Sequence, residues 1–187
     1  MAVQLITSIG NYVGESGDSK PVAPLAGSTF YEVDTEGTYV FANGAWSLVP
    51  PVTRIRKLVK TVTFTGAAGL GAIGQVPALT FSGISYVVRL IPVCTVDLVS
   101  AGAGTVSLGR SNAVTQFLGV TTATAMDAGQ YWLGTTPHTI AVGMPAGLKD
   151  FVCGTDITID VLTGNVTAGA IAFYIEYMPI SSGAEVS

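Results

Sequence analysis

Charge is what this sequence has least of. Only 11% of its residues are charged, against 49% hydrophobic, where globular domains carry about 25% charged residues. The balance is acidic, −4 from 8 basic and 12 acidic side chains, so the basic footprint that nucleic-acid binding needs is missing. Histidine occurs once, at His138, and cysteine twice, at Cys94 and Cys153. One imidazole and two distant thiols give no zinc-ligand spacing. A Ser-His-Asp triad would have to use His138, and no nucleophile elbow accompanies it. The expectation is a chain without cofactor, metal or enzymatic activity.

Long apolar runs are absent as well. The two richest stretches, 84–99 and 171–180, are broken by Arg89, Pro92, Asp97, Glu176 and Pro179, short of the roughly 20 apolar residues of a spanning helix. No membrane partner is expected. The opening residues MAVQLITSIGNYVG carry neither the basic region nor the apolar core of a signal peptide. Synthesis in a reducing cytoplasm, with two buried free thiols, follows as an expectation. A mean hydropathy of +0.55 without a span points to surface that is covered by partners.

Helix signals are scarce. No window shows capped apolar spacing at i, i+3, i+4 and i+7, and 23 glycines with many threonines favour turns and strands. Residues 1–26 read as an extended N-terminal arm rich in Gly, Ser and Pro. Residues 27–53 read as a small β-meander: strands over 29–33, 38–41 and 45–49, joined by the turns Asp34–Gly37 and Asn43-Gly44. Residues 54–187 read as strand after strand, over 60–65, 85–99, 105–108, 116–122, 138–142, 157–162 and 170–178. Pro92 marks a bulge or strand boundary within 85–99. In the last strand Ile171, Phe173, Ile175 and Tyr177 share one face, and Ala172, Tyr174 and Glu176 the other. The fold class is all-β, an antiparallel β-sandwich that is jelly-roll-like, with jelly roll and other Greek-key orders left open.

Motifs that match by letters are explained more simply as structure. Gly69-Leu-Gly71-Ala-Ile-Gly74 has the dinucleotide-binding spacing, but Gln75-Val-Pro77 follows in place of a helix, so a loop is expected. Asp34-Thr-Glu36-Gly37 lacks the later ligands of a calcium loop. Asp156 and Asp160 read as solvated strand-end carboxylates, and Asn165-Val-Thr167 is a sequon relevant only to a secreted chain. Arg54 and Arg56, with Lys57, form a short basic run open to contact with nucleic acid or an acidic partner, and read more simply as solvated. Phe30, Tyr31, Tyr39, Phe41 and Trp46 are open to three readings: a sugar platform, the core of the meander, or its contact with a neighbouring subunit.

Two stretches resemble known proteins. Gly27-Ser-Thr-Phe-Tyr-Glu-Val-Asp-Thr, then Tyr39-Val-Phe41, then Gly44-Ala-Trp46, is similar to a short β module recurring in phage virion proteins. The run from Gly164 to Pro179, GNVTAGAIAFYIEYMP, resembles the closing strand of β-sandwich proteins from phage structural gene clusters, including capsid decoration (cement) proteins. The resemblance implies a structural virion protein on the capsid surface. Its partners would be the major capsid protein and further copies of itself, as a trimer, and it would stabilise the shell by bridging capsomers through added weak contacts. The interface candidates are Phe30, Tyr31, Tyr39, Phe41, Trp46, Arg54 and Arg56. The alternatives are a tail, baseplate or fibre component that binds a receptor or glycan, and a non-viral carbohydrate-binding module.

Overall fold

The computed structural model describes residues 9–49, 55–100 and 102–187. The chain divides into two compact units, residues 1–54 and 55–187. Among the described residues there is no α-helix, only strands and two single 3₁₀ turns, at Ala123–Ala125 and Ala146–Leu148.

The first unit is a four-stranded sheet of β1 (Asn11–Gly14), β2 (Thr29–Glu32), β3 (Thr38–Ala42) and β4 (Ala45–Val49), paired in that order. The Asn43-Gly44 turn between β3 and β4 has positive φ at both residues (53° and 81°), as a two-residue hairpin loop requires. The arm expected over 1–26 carries β1, which pairs with β2 in parallel. The sheet therefore has four strands where the sequence predicts a three-stranded meander. Parallel neighbours need a crossover, and residues 15–28 supply it. Residues 1–8 lie outside the described residues.

The second unit is a sandwich. Its strands in chain order are β5 (Arg56–Thr63), β6 (Gly74–Leu79), β7 (Phe81–Ser82), β8 (Ser85–Ser100), β9 (Thr105–Arg110), β10 (Ala113–Thr122), β11 (Lys149–Cys153), β12 (Ile157–Val161), β13 (Val166–Pro179) and β14 (Glu185–Val186). One sheet runs β11-β8-β13-β5 and the other β10-β9-β12-β6, with β7 and β14 forming a short ribbon. Every neighbouring pair in the two large sheets is antiparallel. The chain passes back and forth between the sheets, and the strand order is that of a jelly roll.

Period-2 patterning builds the core. Val62 and Phe64, Leu90 and Cys94, and Ile171, Phe173, Ile175 and Tyr177 come from one sheet. Val76, Val106, Leu108, Ile157, Ile159 and Val161 come from the other. All are buried in one cluster with Trp132 and Met126. The indole Nε1 of Trp132 donates to Thr121 Oγ1 at 2.9 Å, so its one polar atom is satisfied inside the core.

Two strand expectations are corrected. Pro92 marks neither a bulge nor a boundary. β8 runs through it, opposite Phe173 in an unbroken stretch of register. The carbonyl of Pro92 accepts from Trp132 N–H, on the edge away from β13, so its missing N–H costs the β8–β13 ladder nothing. The register shifts lie instead at three successive steps between Val166 and Ile171 and at one between Glu176 and Tyr177. Gly169, at φ +112°, belongs to the first irregular stretch, where a Cβ would come within 2.6 Å of Asp97 O. The strand expected at 138–142 reduces to one bridge, His138 with Tyr131, between Pro137 and the Gly143–Pro145 stretch. Conversely, β6 forms across Pro77 because it is an edge strand, where proline is tolerated.

Both cysteines are free and buried. Cys153 lies opposite Ser85 at the start of β8, about 30 Å along the strand from Cys94 at 3.3 Å per residue, far beyond disulfide reach. Burial, then the nearby Asp97 charge, pushes the Cys94 thiol up to about 11, so it stays protonated and unreactive.

Candidate functional site

Register between strands distant in sequence puts side chains in rows on the outer face of the β5–β13–β8 sheet. Val59, Tyr174 and Ile91 form one row, and Thr61, Ala172 and Val93 the next. The row on the other side is charged: Lys57, Glu176 and Arg89, continued by Lys149 on β11. Arg89 Nη2 and Lys57 Nζ both reach Glu176 Oε1, at 2.7 and 3.2 Å. The Arg89 hydrogen bond leads, and Lys57 adds to it, in holding the Glu176 carboxyl below the usual range.

Beyond β8 the sheet is extended by Tyr131, which bridges Val93 and then His138. The apolar surface widens there. Val59 is 55% exposed, Tyr174 45%, Tyr131 40% and Ile140 72%. Two shallow depressions of about 490 and 360 Å³ share Ile91 and Tyr131 and lie along this surface.

The outer face of the opposite sheet has another character. Between the inward Ile157, Ile159 and Val161, strand β12 turns Thr158 and Asp160 outward, and Asp160 stands in register with Gln75 and Ser107. Ser107 Oγ donates to Val114 O at 2.8 Å, and Thr158 Oγ1 donates to Asp160 at 3.3 Å. Burial raises the Asp160 carboxyl above its ordinary value, against hydrogen bonds from Gln75 and Thr158. Asp156 accepts the Phe81 N–H at 3.0 Å, so the two aspartates serve separate partners, and Asp160 is buried rather than solvated.

The interface candidates of the first unit are placed as follows. Trp46 meets Tyr12, Phe30 and Phe41 edge-on, with centroids 6.3, 6.1 and 5.3 Å away, and its Nε1 donates to Pro21 O at 3.0 Å. Phe30 is buried, Tyr39 and Phe41 are half-buried, and Tyr31 is exposed. Lys20 was not among the candidates. Its ammonium pairs with Glu32 Oε1 at 2.5 Å and sits 4.0 Å from the Tyr39 ring centroid and 4.9 Å from that of Phe30. Lys20 first, then Thr35, holds the Glu32 carboxyl below its ordinary value. Arg56 stands 3.9 Å from Glu185, and Arg54 lies outside the described residues.

Gly69–Gly74 is a loop that leads into β6, with no helix opening from it. Asn165 Oδ1 accepts the Ile73 N–H at 3.0 Å. The outer-face rows could not be assembled from sequence. Tyr174 and Glu176 are recognisable as outward residues of β13, but their partners depend on pairings to strands far away in the chain.

No protein-family model matches the chain, and no curated protein matches it. Among solved structures it is similar to a chain of the cyanophage Pam1 capsid asymmetric unit. The identity is 15%, the TM-score 0.41, and the match covers 71% of this chain and 93% of that one.

Proposed function

We propose that the protein is a structural component of a virion, a capsid decoration protein that binds the outer lattice and stabilises it by bridging capsomers. The observation that carries this reading is the asymmetry of the sandwich. One outer face is polar, and the other exposes Val59, Tyr174, Tyr131 and Ile140 together. Isolated apolar side chains need no explanation, but a contiguous set on one sheet face marks an interaction surface. The two quoted stretches of the sequence, which resemble phage virion proteins, supply the setting.

The test is co-sedimentation of the purified protein with capsids that lack it, followed by thermal disruption of those capsids. Binding that raises the disruption temperature, and that Tyr174→Lys abolishes, is the expected result. Capsids that neither retain the protein nor change in stability contradict the reading. A second reading, a fibre-type module, draws on the depression where Tyr131 and Tyr174 lie near Arg89 and Glu176. Saturable glycan binding without capsid binding would select it.

A further inference from the structure

We infer that strand β4 of the N-terminal sheet pairs edge to edge, antiparallel, with β4 of a second copy, about a two-fold axis at Ser47. This goes beyond the proposed function, which concerns the sandwich.

The backbone hydrogen bonds point to this edge. Phe41 turns both of its backbone groups toward β2: its N–H donates to Ser28 O at 2.9 Å, and its C=O accepts from Gly27 N–H at 2.8 Å. Along an antiparallel strand, successive residues bond to opposite sides. Val40 and Ala42 therefore bond to β4, opposite Ser47 and Ala45, and Thr38 does so opposite Val49. Trp46 and Leu48 are left with their N–H and C=O turned to the outer edge. No strand lies beyond β4 in the sheet, and neither residue has a backbone partner on that side among the described residues.

This edge carries no device against pairing. Open edges are ordinarily blunted by proline, charge, bulges or shortness. In the sandwich, β6 contains Pro77, β10 breaks register twice, and β11 holds Asp150 at φ 55°. Strand β5 turns Arg56 and Lys60 inward, opposite Tyr177 and Phe173. At the other edge of the small sheet, β1 is four residues long and runs into the acidic turn Glu15–Asp18. Strand β4, Ala45-Trp-Ser-Leu-Val49, has no charge, no proline and no register shift.

The strand also complements itself. With the axis at Ser47, Trp46 of one copy stands opposite the partner's Leu48, and each such pair exchanges both N–H···O bonds. Leu48 lies on the aromatic face, in register with Tyr39, yet it is 52% exposed. Pairing sets it against the partner's Trp46 as a cross-strand neighbour. No ionisable group on β4 meets its like across the axis. A small sheet, marginal by itself, gains from being extended. The contact is isologous and closes at two copies. The trimer implied by the resemblance needs a different strand opposite β4.

The experiment is sedimentation equilibrium of the full chain over a concentration series, with the register read by cross-linking. The expected wild-type species at high concentration is twice the 19.1 kDa chain. Leu48→Pro removes an N–H that the β3–β4 ladder does not use. It should weaken pairing by about tenfold or more and leave thermal unfolding of the sandwich unchanged. Ser47→Lys, at an exposed position, should do the same by setting like charges face to face. Ser47→Cys places two thiols on Cα atoms about 4.5 Å apart, within disulfide range, so mild oxidation should give a covalent pair. Ala45→Cys, opposite the partner's Val49, should not cross-link. The native Cys94 and Cys153 are buried and stay out of the reaction. A monomer at every concentration, the result if residues 1–8 of the same chain or an unrelated protein take this edge, would overturn the inference. So would a trimer, a pair indifferent to both Leu48→Pro and Ser47→Lys, or equal cross-linking at positions 47 and 45. A monomer that still co-sediments with capsids ends the pairing and leaves the proposed function standing. A pair that binds no capsid does the reverse.

Discussion

In the N-terminal sheet, Lys20, Glu32 and Thr35 meet beside the rings of Phe30 and Tyr39, and Trp46 is wedged among three other aromatics. In the sandwich, the centre is Val, Leu, Ile and Phe from two sheets, with the side chains of Trp132 and Tyr177 also hydrogen-bonded, to Thr121 and to the Val186 N–H. The contrast follows from size. A sheet of a few dozen residues cannot bury enough apolar surface to balance its chain entropy, so rings and an ion pair fix its arrangement. The larger unit relies on area. Each is vulnerable in its own way: the small sheet to loss of one polar partner or to acid, the sandwich to loss of volume.

The largest effect should come from Phe173→Ala, which empties the centre of the sandwich. The expected loss is about 3–5 kcal/mol, read by urea unfolding, with hydrogen exchange of β8 and β13 amides accelerated. Trp46→Ala removes three edge-on ring contacts and one hydrogen bond from the small sheet. Its expected cost is about 2–3 kcal/mol, seen as faster exchange confined to β1–β4. If Trp46→Ala loosens the sandwich core instead, the contrast between the units is wrong.

Acid separates the units by sign. Glu32 and Asp34 are held below their ordinary values, the first chiefly by Lys20 and the second by Ser16. Their contribution is present above the unfolded values of 4.5 and 3.8 and is lost as pH falls through the lower folded ones. Asp160 is raised by burial above 3.8. The folded state holds its proton more tightly, so its contribution is largest in acid and fades as pH rises through the folded value. Protection of β1–β4 amides, taken relative to the intrinsic exchange rate at each pH, should therefore fall on acidification below about pH 4.5. Asp160→Asn should raise sandwich stability at pH 7 and leave it unchanged well below pH 3.8. A rise of equal size at both pH values would show that burial of the charge is not the cause. The smallest effect is expected for Lys57→Ala, within about 0.5 kcal/mol in thermal unfolding, because an exposed ion-pair member adds little.

Much of the sandwich was legible in the sequence. Ser85–Ser100, Ile157–Val161 and Val166–Pro179 all read as strands, and in the last the predicted inward face of Ile171, Phe173, Ile175 and Tyr177 is buried, whereas all five residues of Ile157–Val161 are buried. Asn43-Gly44 declares its hairpin. What stayed hidden were edges and partners. β6 contains Pro77, β11 begins with Lys149-Asp150, and β1 is four residues long, each weak as a strand by propensity and formed because a neighbour supplies hydrogen bonds. Lys20 reads as a solvated charge until the parallel pairing of β1 with β2 brings it to Glu32. The apolar outer face was hidden for the same reason: Val59, Ile91 and Tyr174 become one row only once three strands are in register.

The proposed function places the working surface on the apolar outer face of the β5–β13–β8 sheet. Oxidative footprinting of the free protein and of the protein assembled on capsids tests it most directly. Oxidation of Tyr174 and Tyr131 should fall sharply on assembly, while that of Val120, exposed on β10 of the opposite sheet, should not change. Equal oxidation of Tyr174 in both states would contradict it.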